Sequence, residues 1–241
     1  MEFDELPPYF IVGSGPGHES AYDRKHFSHD AREMHDFFDR NIHTVAKDLL
    51  GCSLVRQLPG QRRSGRIVEV EVYEGENDAA SHARSGCATD RTWPMFDDPG
   101  RIYVYTIYGM YQCLNLRAPS ESGPGAILIR ACAPTEGHAA MAVDRNLVDH
   151  PDGYNSSLNE KLMSGPGKLC QALSIGPELS GEMINDGPLQ LSVGEPSSSE
   201  KPSRIERTAR VGLNPDTCGE AHRWQWRYMI AGSPWTSCHA G

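Results

Sequence analysis

The sequence contains few of the features that mark membrane, secreted or imported proteins. No apolar run approaches the roughly 20 residues that a membrane-spanning helix needs. The N-terminus, MEFDELPPYF, is acidic and lacks the basic and then apolar order of a signal peptide. No long run of lysine and arginine marks a nuclear signal. We therefore expect an intracellular protein without a membrane segment, in either a bacterial cytoplasm or a nucleus.

Cysteine pairs of the C-x-x-C type are also absent, although the chain has seven cysteines. Because they are scattered and odd in number, the pattern argues against a disulfide framework and favours a reducing compartment. The only grouping that resembles a metal site is Cys218 with His222 and Cys238 with His239. Adjacent Cys238 and His239 cannot easily bind one tetrahedral zinc ion, and the spacing matches no common zinc finger. We therefore predict no metal site.

The acidic charge balance counts at first sight against a nucleic-acid partner, since the net charge is −9. Residues 1–50, however, hold ten acidic and five basic side chains, which is more than half of the acidic excess. Basic clusters follow at residues 56–66 and between residues 201 and 227. Ordinary solvated surface is the better explanation of both. The charge distribution therefore permits DNA binding without arguing for it.

Strand and helix patterns predict one mixed α+β domain with a largely antiparallel sheet. Residues 1–35 are interpreted as a poorly ordered acidic leader, and residues 36–238 as the folded domain. We expect helices at Val45–Leu50, capped by Thr44, and at Pro134–Val143 and Lys168–Ser174. The remaining predictions are strands, at Arg66–Tyr73, Arg101–Leu116 (as a hairpin), Ala126–Ala133, Arg207–Gly212 and His222–Ile230.

Two glutamates occupy one face of the strand RIVEVEVY. Strict alternation places Val68, Val70 and Val72 on one face, and Ile67, Glu69, Glu71 and Tyr73 on the other. The ordinary interpretation is the solvent face of a half-buried strand. The chemical interpretation is that Tyr73 partly dries a neighbouring carboxylate, which would raise its pKa and make it a better base. The strand alone does not decide between them.

The segment IYVYTIYGMY carries four tyrosines within nine residues, at Tyr103, Tyr105, Tyr108 and Tyr111. Cross-strand packing explains most tyrosines in a hairpin, and we assign that role to Tyr103. Tyr108 precedes Gly109 at the predicted tip, where packing gives less reason for an aromatic side chain. Such a residue could act as a wedge between base pairs, with Tyr105 stacking on an extruded base.

Six ordered blocks of the sequence resemble the alkyladenine (3-methyladenine) DNA glycosylases. The blocks are RIVEVEVYEGENDAASHARSG, TDRTWPMF, PGRIYVYTIYGMYQCLNL, GAILIRACAPTEG, SGPGKLCQAL and RVGLN…AGSPWTS. They cover most of the chain from about residue 40 to 237. The resemblance implies a single domain with a curved sheet, flanking helices and a protruding hairpin that inserts into DNA. It also implies no metal and no diffusible cofactor.

The resemblance further implies a role for individual residues. Glu71 occupies the position of the general base, and Arg130 and the main chain at Val211 match groups that help to hold the attacking water. Asn115 falls at a position that discriminates against ordinary guanine, and Tyr108 at the intercalating position. The base pocket would comprise Tyr73, His82, Tyr105, Asn115, Met110 and Leu128. We expect further DNA contacts from Arg84, Arg91 and Arg210, although many relatives have asparagine where this chain has Thr92.

The expected activity is excision of alkylated or deaminated purines from double-stranded DNA during base excision repair. The candidate substrates are 3-methyladenine, 7-methylguanine, hypoxanthine and ethenoadenine. No lysine lies near Glu71 or the hairpin in sequence, which disfavours a lyase step through a Schiff base. We therefore expect a monofunctional, monomeric enzyme. A binding-only relative and a sugar hydrolase that uses Glu69 with Glu71 are the alternatives; the intact Glu71 and the side-by-side carboxylates argue against each in turn.

Overall fold

The backbone of the described residues is organised around one antiparallel sheet. The structure is a computed structural model, and it describes residues 31–192, Pro202 and residues 204–237. The elements in chain order are α1 (Ala31–Phe38), α2 (Ile42–Asp48), β1 (Ser53–Leu58), β2 (Gln61–Tyr73), β3 (Ile102–Ile107), β4 (Tyr111–Ser120), β5 (Gly123–Glu136), α3 (His138–Asp144), α4 (Asn159–Leu162), α5 (Pro166–Ala172), β6 (Leu189–Ser192), β7 (Ile205–Thr208), α6 (Pro215–Cys218) and β8 (Arg227–Ile230).

The sheet has the strand order β3-β4-β5-β2-β1-β6, with β7 and β8 attached beside it. Strand β2 pairs with three other strands, because its first half pairs with β1 and its second half with β8, while β5 runs along its other edge. Every strand pairing among the described residues is antiparallel. The predicted α+β class with a largely antiparallel sheet and flanking helices is confirmed.

One face of the sheet packs against the helices to form the main core. Its buried side chains include Val70, Val72, Ile127 and Ile129, which alternate along β2 and β5. Helices α2 and α5 cover this face with their apolar residues, among them Ile42, Val45, Leu169 and Ala172. The residues between the core positions therefore point to the opposite face, where the polar site lies.

Three irregularities interrupt the pairing of β2 with β5, one at Ser64 and two beside Glu69. Ile67 pairs with Cys132 and Glu69 with Ala131, so Val68 has no opposite residue; Val70 then pairs with Ile129, which leaves Arg130 as the second extra residue. Such bulges change which face a side chain occupies. Ile67 consequently belongs to the main core, while Val68 packs on the other side. The strict alternation predicted for this strand is therefore wrong at these two residues.

Several predicted boundaries also shift. Helix α2 is capped by Asn41 rather than Thr44, because the Asn41 side chain accepts a hydrogen bond from the His43 backbone. Strand β5 continues through Glu136, so α3 begins only at His138, after Gly137 has adopted a left-handed conformation with φ of 83°. Helix α1 crosses the boundary predicted after residue 35, and residues 1–30 lie outside the described part. No helix among the described residues is long and apolar enough to span a membrane.

Candidate active site

The carboxylate of Glu71 is fully buried and accepts hydrogen bonds on both oxygens. The backbone N–H of Val211 donates to Oε1 at 2.7 Å. The Tyr73 hydroxyl and an Arg130 Nη1 donate to Oε2, at 2.9 and 3.2 Å. Tyr73 lies on the same strand as Glu71, Arg130 on the neighbouring β5, and Val211 on a loop 140 residues away. Donors from three separate parts of the chain fix the carboxylate in one orientation. The structure thus brings together the three residues that the resemblance placed in the catalytic set.

Glu69, the neighbouring carboxylate on this strand, is also fully buried rather than on a solvent face. Its Oε1 accepts from Arg130 Nε at 2.9 Å, Arg227 Nε at 2.7 Å and the Ser237 hydroxyl at 2.7 Å. The Ser237 backbone N–H donates to Oε2. Burial would raise the pKa of Glu69, but these hydrogen bonds and the two arginines outweigh it and hold the pKa below its usual value. These partners therefore hold Glu69 in its charged form.

A cavity opens beside Glu71 on the same face of the sheet. It contains about 250 Å³ of space between its walls, part of which is open to solvent. Four predicted pocket residues, Tyr73, His82, Tyr105 and Asn115, line it. The other walls are Ala80, Met95, Tyr103 and Ala126, so Tyr103 lines the cavity in addition to its predicted packing role.

The aromatic walls hold one another in place. The His82 ring lies edge-on to the Tyr105 ring, with centroids 4.6 Å apart, and its Nδ1 lies 2.9 Å from the Tyr103 hydroxyl. Burial, together with the positive charges of Arg91 and Arg84, lowers the pKa of His82 to about 4. Burial also raises the pKa of Tyr103 to about 12. The wall is therefore electrically neutral at physiological pH.

Strand register explains how residues far apart in sequence reach this cavity. Glu71 pairs with Leu128, Leu128 with Asn115 and Asn115 with Tyr103, so the four lie in one row across the sheet. Directly opposite residues share a face. The Asn115 amide donates to the Tyr103 and Cys113 carbonyls, at 3.1 and 3.2 Å, which fixes its side chain at the cavity wall. Leu128 is buried within this row.

The turn between β3 and β4 exposes a cluster of apolar side chains. Tyr108 is 86% exposed and Met110 68%, and neither lines the cavity. Met110 thus differs from its prediction as a pocket residue, because it lies in the turn beyond the last pair of the two strands, Ile107 and Tyr111. Tyr108 has a left-handed backbone with φ of 51°, which is strained for a residue with a side chain. The aromatic ring at this position is exposed to solvent and does not pack against the body of the protein.

Arg210 faces the interior, which departs from its predicted contact with DNA. Its side chain is fully buried and binds the equally buried Asp78 through both terminal nitrogens, one of them at 2.9 Å. The guanidinium also packs over the rings of Tyr73, at 4.6 Å, and Trp226, at 5.2 Å. Arg210 therefore connects the loop that carries Val211 to the wall of the cavity. Sequence reasoning missed Asp78, which lies 132 residues away from it.

Arg84 and Arg91 are exposed and close enough to His82 for their charges to lower its pKa. This position at the cavity rim is compatible with a contact to phosphates, which stays a prediction. In the part of the chain that the structure describes, no group of three histidine, cysteine or acidic side chains is arranged to hold a metal ion. Cys238 and His239 lie outside that part.

A buried, oriented carboxylate beside an aromatic cavity, with an exposed aromatic turn on the same sheet, defines a site suited to hydrolysis next to a flat ring. Comparison with known proteins agrees. The methylpurine-DNA glycosylase family model matches residues 36–234. The chain is 40% identical over 231 residues to the DNA-3-methyladenine glycosylase of Mus musculus, covering 93% of this chain and 67% of the relative.

Two microbial relatives provisionally named 3-methyladenine DNA glycosylase match almost their whole length. The protein of Methanocella arvoryzae is 42% identical over 206 residues, covering 85% of this chain and 95% of the relative. A protein of Bacillus cereus is 39% identical over 202 residues, covering 83% and 96%. The chain therefore belongs to the methylpurine-DNA glycosylase family. It is a hydrolase that acts on N-glycosyl bonds in DNA and serves DNA repair.

Proposed function

We propose that this enzyme flips alkylated purines out of double-stranded DNA and removes them by hydrolysis, with Glu71 activating the attacking water. The preferred substrates are 3-methyladenine and 7-methylguanine; hypoxanthine and ethenoadenine are slower ones. The enzyme acts as a monomer and leaves an abasic site. The observation that carries this proposal is the buried Glu71 carboxylate, held by Val211, Tyr73 and Arg130 beside the cavity.

The hydrogen bonds of Glu71 support its role as the base. Oε2 accepts two described donors, whereas Oε1 accepts only the Val211 N–H, so Oε1 retains a lone pair for a water molecule. A water held there would be oriented for attack on the sugar carbon C1′. The negative charge of the carboxylate would also stabilise the cationic sugar that forms as the bond breaks.

The cavity walls support a preference for cationic bases. A purine methylated at N3 or N7 carries a positive charge, which the faces of Tyr73 and Tyr105 attract. A neutral lesion needs a proton on the leaving base. His82 is neutral at physiological pH, and Glu69 is engaged by arginines, so neither supplies that proton. We therefore expect cationic lesions to be released faster than hypoxanthine or ethenoadenine.

Hydrolysis without strand cleavage follows from the residues around Glu71. None of the described residues that line the cavity or bond to Glu71 is a lysine. An enzyme that cleaves the strand through a Schiff base needs such an amine. The described site therefore supports a water nucleophile.

The test is incubation with duplexes that each carry one lesion, analysed with and without alkali. We expect strand breaks only after alkali, fastest for the two methylated purines, and no covalent adduct after borohydride. Breaks without alkali, or a borohydride-trapped adduct, would show that the mechanism is wrong. No release from any duplex would favour a binding-only protein. Sedimentation of the enzyme with and without DNA tests whether it is monomeric.

A further inference from the structure

Glu69 accepts hydrogen bonds from four donors, and two of them are arginines. Arg130 and Arg227 both donate their Nε to the same Oε1. All three side chains are buried, with 8% or less of each side chain exposed. A buried ion pair is weak evidence for stability alone, because desolvation offsets much of the attraction. The arrangement of the arginines points to a second role.

Arg130 is shared between the two glutamates. Its Nε donates to Glu69, while its Nη1 donates to Glu71 at 3.2 Å. The Ser237 hydroxyl accepts from Nε and Nη2 at 3.1 and 3.0 Å, and donates in turn to Glu69. Because the guanidinium is planar and rigid, fixing Nε and Nη2 fixes the direction of Nη1. Glu69 and Ser237 together therefore aim Arg130 at Oε2 of Glu71.

Arg227 lies directly opposite Glu71 in the pairing of β8 with β2. Opposite residues share a face and have Cβ atoms about 5 Å apart, so Arg227 starts within reach of the Glu71 carboxylate. Its described hydrogen bonds nevertheless go to Glu69 at 2.7 Å and to the Thr208 hydroxyl at 3.4 Å. Glu69 thus draws this second guanidinium away from Glu71, which leaves Oε1 of Glu71 with its single described donor.

We infer that Glu69 is a positioning residue for hydrolysis: it aims Arg130 at Glu71 and keeps Arg227 away from the lone pair that receives the water. The inference rests on the proposed role of Glu71. Without the charge of Glu69, Arg227 would lose the carboxylate that its Nε now binds. Glu71 lies directly opposite Arg227 in the strand pairing, so the guanidinium could then reach Oε1 of Glu71 and take the place of the water.

The test begins with Glu69→Gln, which keeps the size of the side chain and removes its charge. We expect the single-turnover rate of 3-methyladenine release to fall on the order of 10- to 100-fold, as for a misplaced catalytic group. The dissociation constant for lesion duplex stays unchanged, because Glu69 does not line the cavity. A wild-type rate, or a loss confined to affinity, would overturn the inference.

A compensating variant separates positioning from stability. In Glu69→Gln/Arg227→Met the guanidinium opposite Glu71 is gone, so we expect the release rate to recover part of its loss. A purely structural role predicts the opposite, since removing a second partner from the cluster compounds the damage. A double variant no faster than Glu69→Gln would therefore contradict the inference.

Glu74→Gln is the matched control, because Glu74 is a second buried glutamate, bonded to His43 and Ser122 outside the site. It should lower the melting temperature without changing the release rate.

If Glu69→Gln does not fold, Ser237→Ala tests the inference in its place, because it removes the hydroxyl between Glu69 and Arg130 without changing charge. A slower rate at unchanged affinity supports the inference, and an unchanged rate refutes it.

Failure of the positioning role and failure of the proposed function give different results. An active Glu71→Gln enzyme would remove the base assignment itself. An inactive Glu71→Gln enzyme beside a fully active Glu69→Gln enzyme would remove only the positioning role.

Discussion

Replacing Glu71 with glutamine tests the centre of the site with the smallest change in shape. The amide occupies the space of the carboxylate but cannot serve as a base and carries no charge. Its NH₂ group must face either the Val211 N–H or the Tyr73 and Arg130 donors. The tyrosine hydroxyl can turn to accept, whereas a backbone N–H cannot, and the Arg130 N–H on the tyrosine side loses its acceptor. The NH₂ group should therefore take the side of Tyr73, with the amide oxygen accepting from Val211.

The expected loss of rate is large compared with the loss of stability. A positioned general base contributes about 10²–10⁴-fold, and loss of the charge near the sugar cation adds to that. We therefore expect release of 3-methyladenine to slow by at least about 10³-fold, or roughly 4 kcal/mol in the barrier. A lost charge-assisted hydrogen bond costs about 1.5–3 kcal/mol of stability. That lowers the melting temperature by roughly 3–12 °C, so the variant stays folded at assay temperature.

The assay is single-turnover release with enzyme in excess, together with binding to a duplex that carries 3-methyladenine or hypoxanthine. Affinity should be retained, because the cavity walls and the turn between β3 and β4 are unaltered. Release within about tenfold of wild type would refute the reasoning, because the loss of a general base slows a reaction by more than that. Equal losses of rate and affinity would instead indicate a damaged cavity.

Three further changes probe the surroundings of the site. Tyr108→Ser should weaken binding to lesion duplex about tenfold with no change in melting temperature, because the ring is exposed; unchanged affinity would refute the wedge. Folded His82 resists protonation until about pH 4, whereas the unfolded chain binds a proton near the ordinary value of 6.5. Stability should therefore fall as pH drops between these values, and less steeply in His82→Gln; identical slopes in pH-dependent melting would contradict this. Arg210→Met leaves Asp78 buried without its cation and should cost about 3–5 kcal/mol in denaturant unfolding. Weaker DNA binding with unchanged stability would instead restore Arg210 to the surface role.

The parts of the molecule that local patterns control could be predicted from the sequence. Alternation in RIVEVEVY indicated the strand that carries Glu71, and the tyrosines around Gly109 indicated two paired strands. Both signals depend on neighbours within a few residues. Helix ends were less predictable, because the start of α3 depends on how far β5 continues, which pairing with β2 determines.

The burial of Glu69 could not be predicted, because its partners lie far along the chain. Arg227 and Ser237 are 158 and 168 residues away from it. A strand pattern cannot show whether a face meets solvent or another part of the chain. The same limit applies to Arg210, which looked like one more residue of a basic cluster until Asp78 was found beside it.

The two bulges beside Glu69 explain how strand β2 can bury two carboxylates and still contribute side chains to the main core. A regular pairing would place one side chain in two on the site face. The extra residue in β2 adds Val68 next to Glu69, and the extra residue in β5 adds Arg130 next to Ala131. Arg130 thereby reaches both glutamates while Val70 and Ile129 keep their places in the core. Bulges occur often next to active sites, where they redirect a side chain. The two bulges are therefore the features of the sheet that place the Arg130 guanidinium against the Glu71 carboxylate.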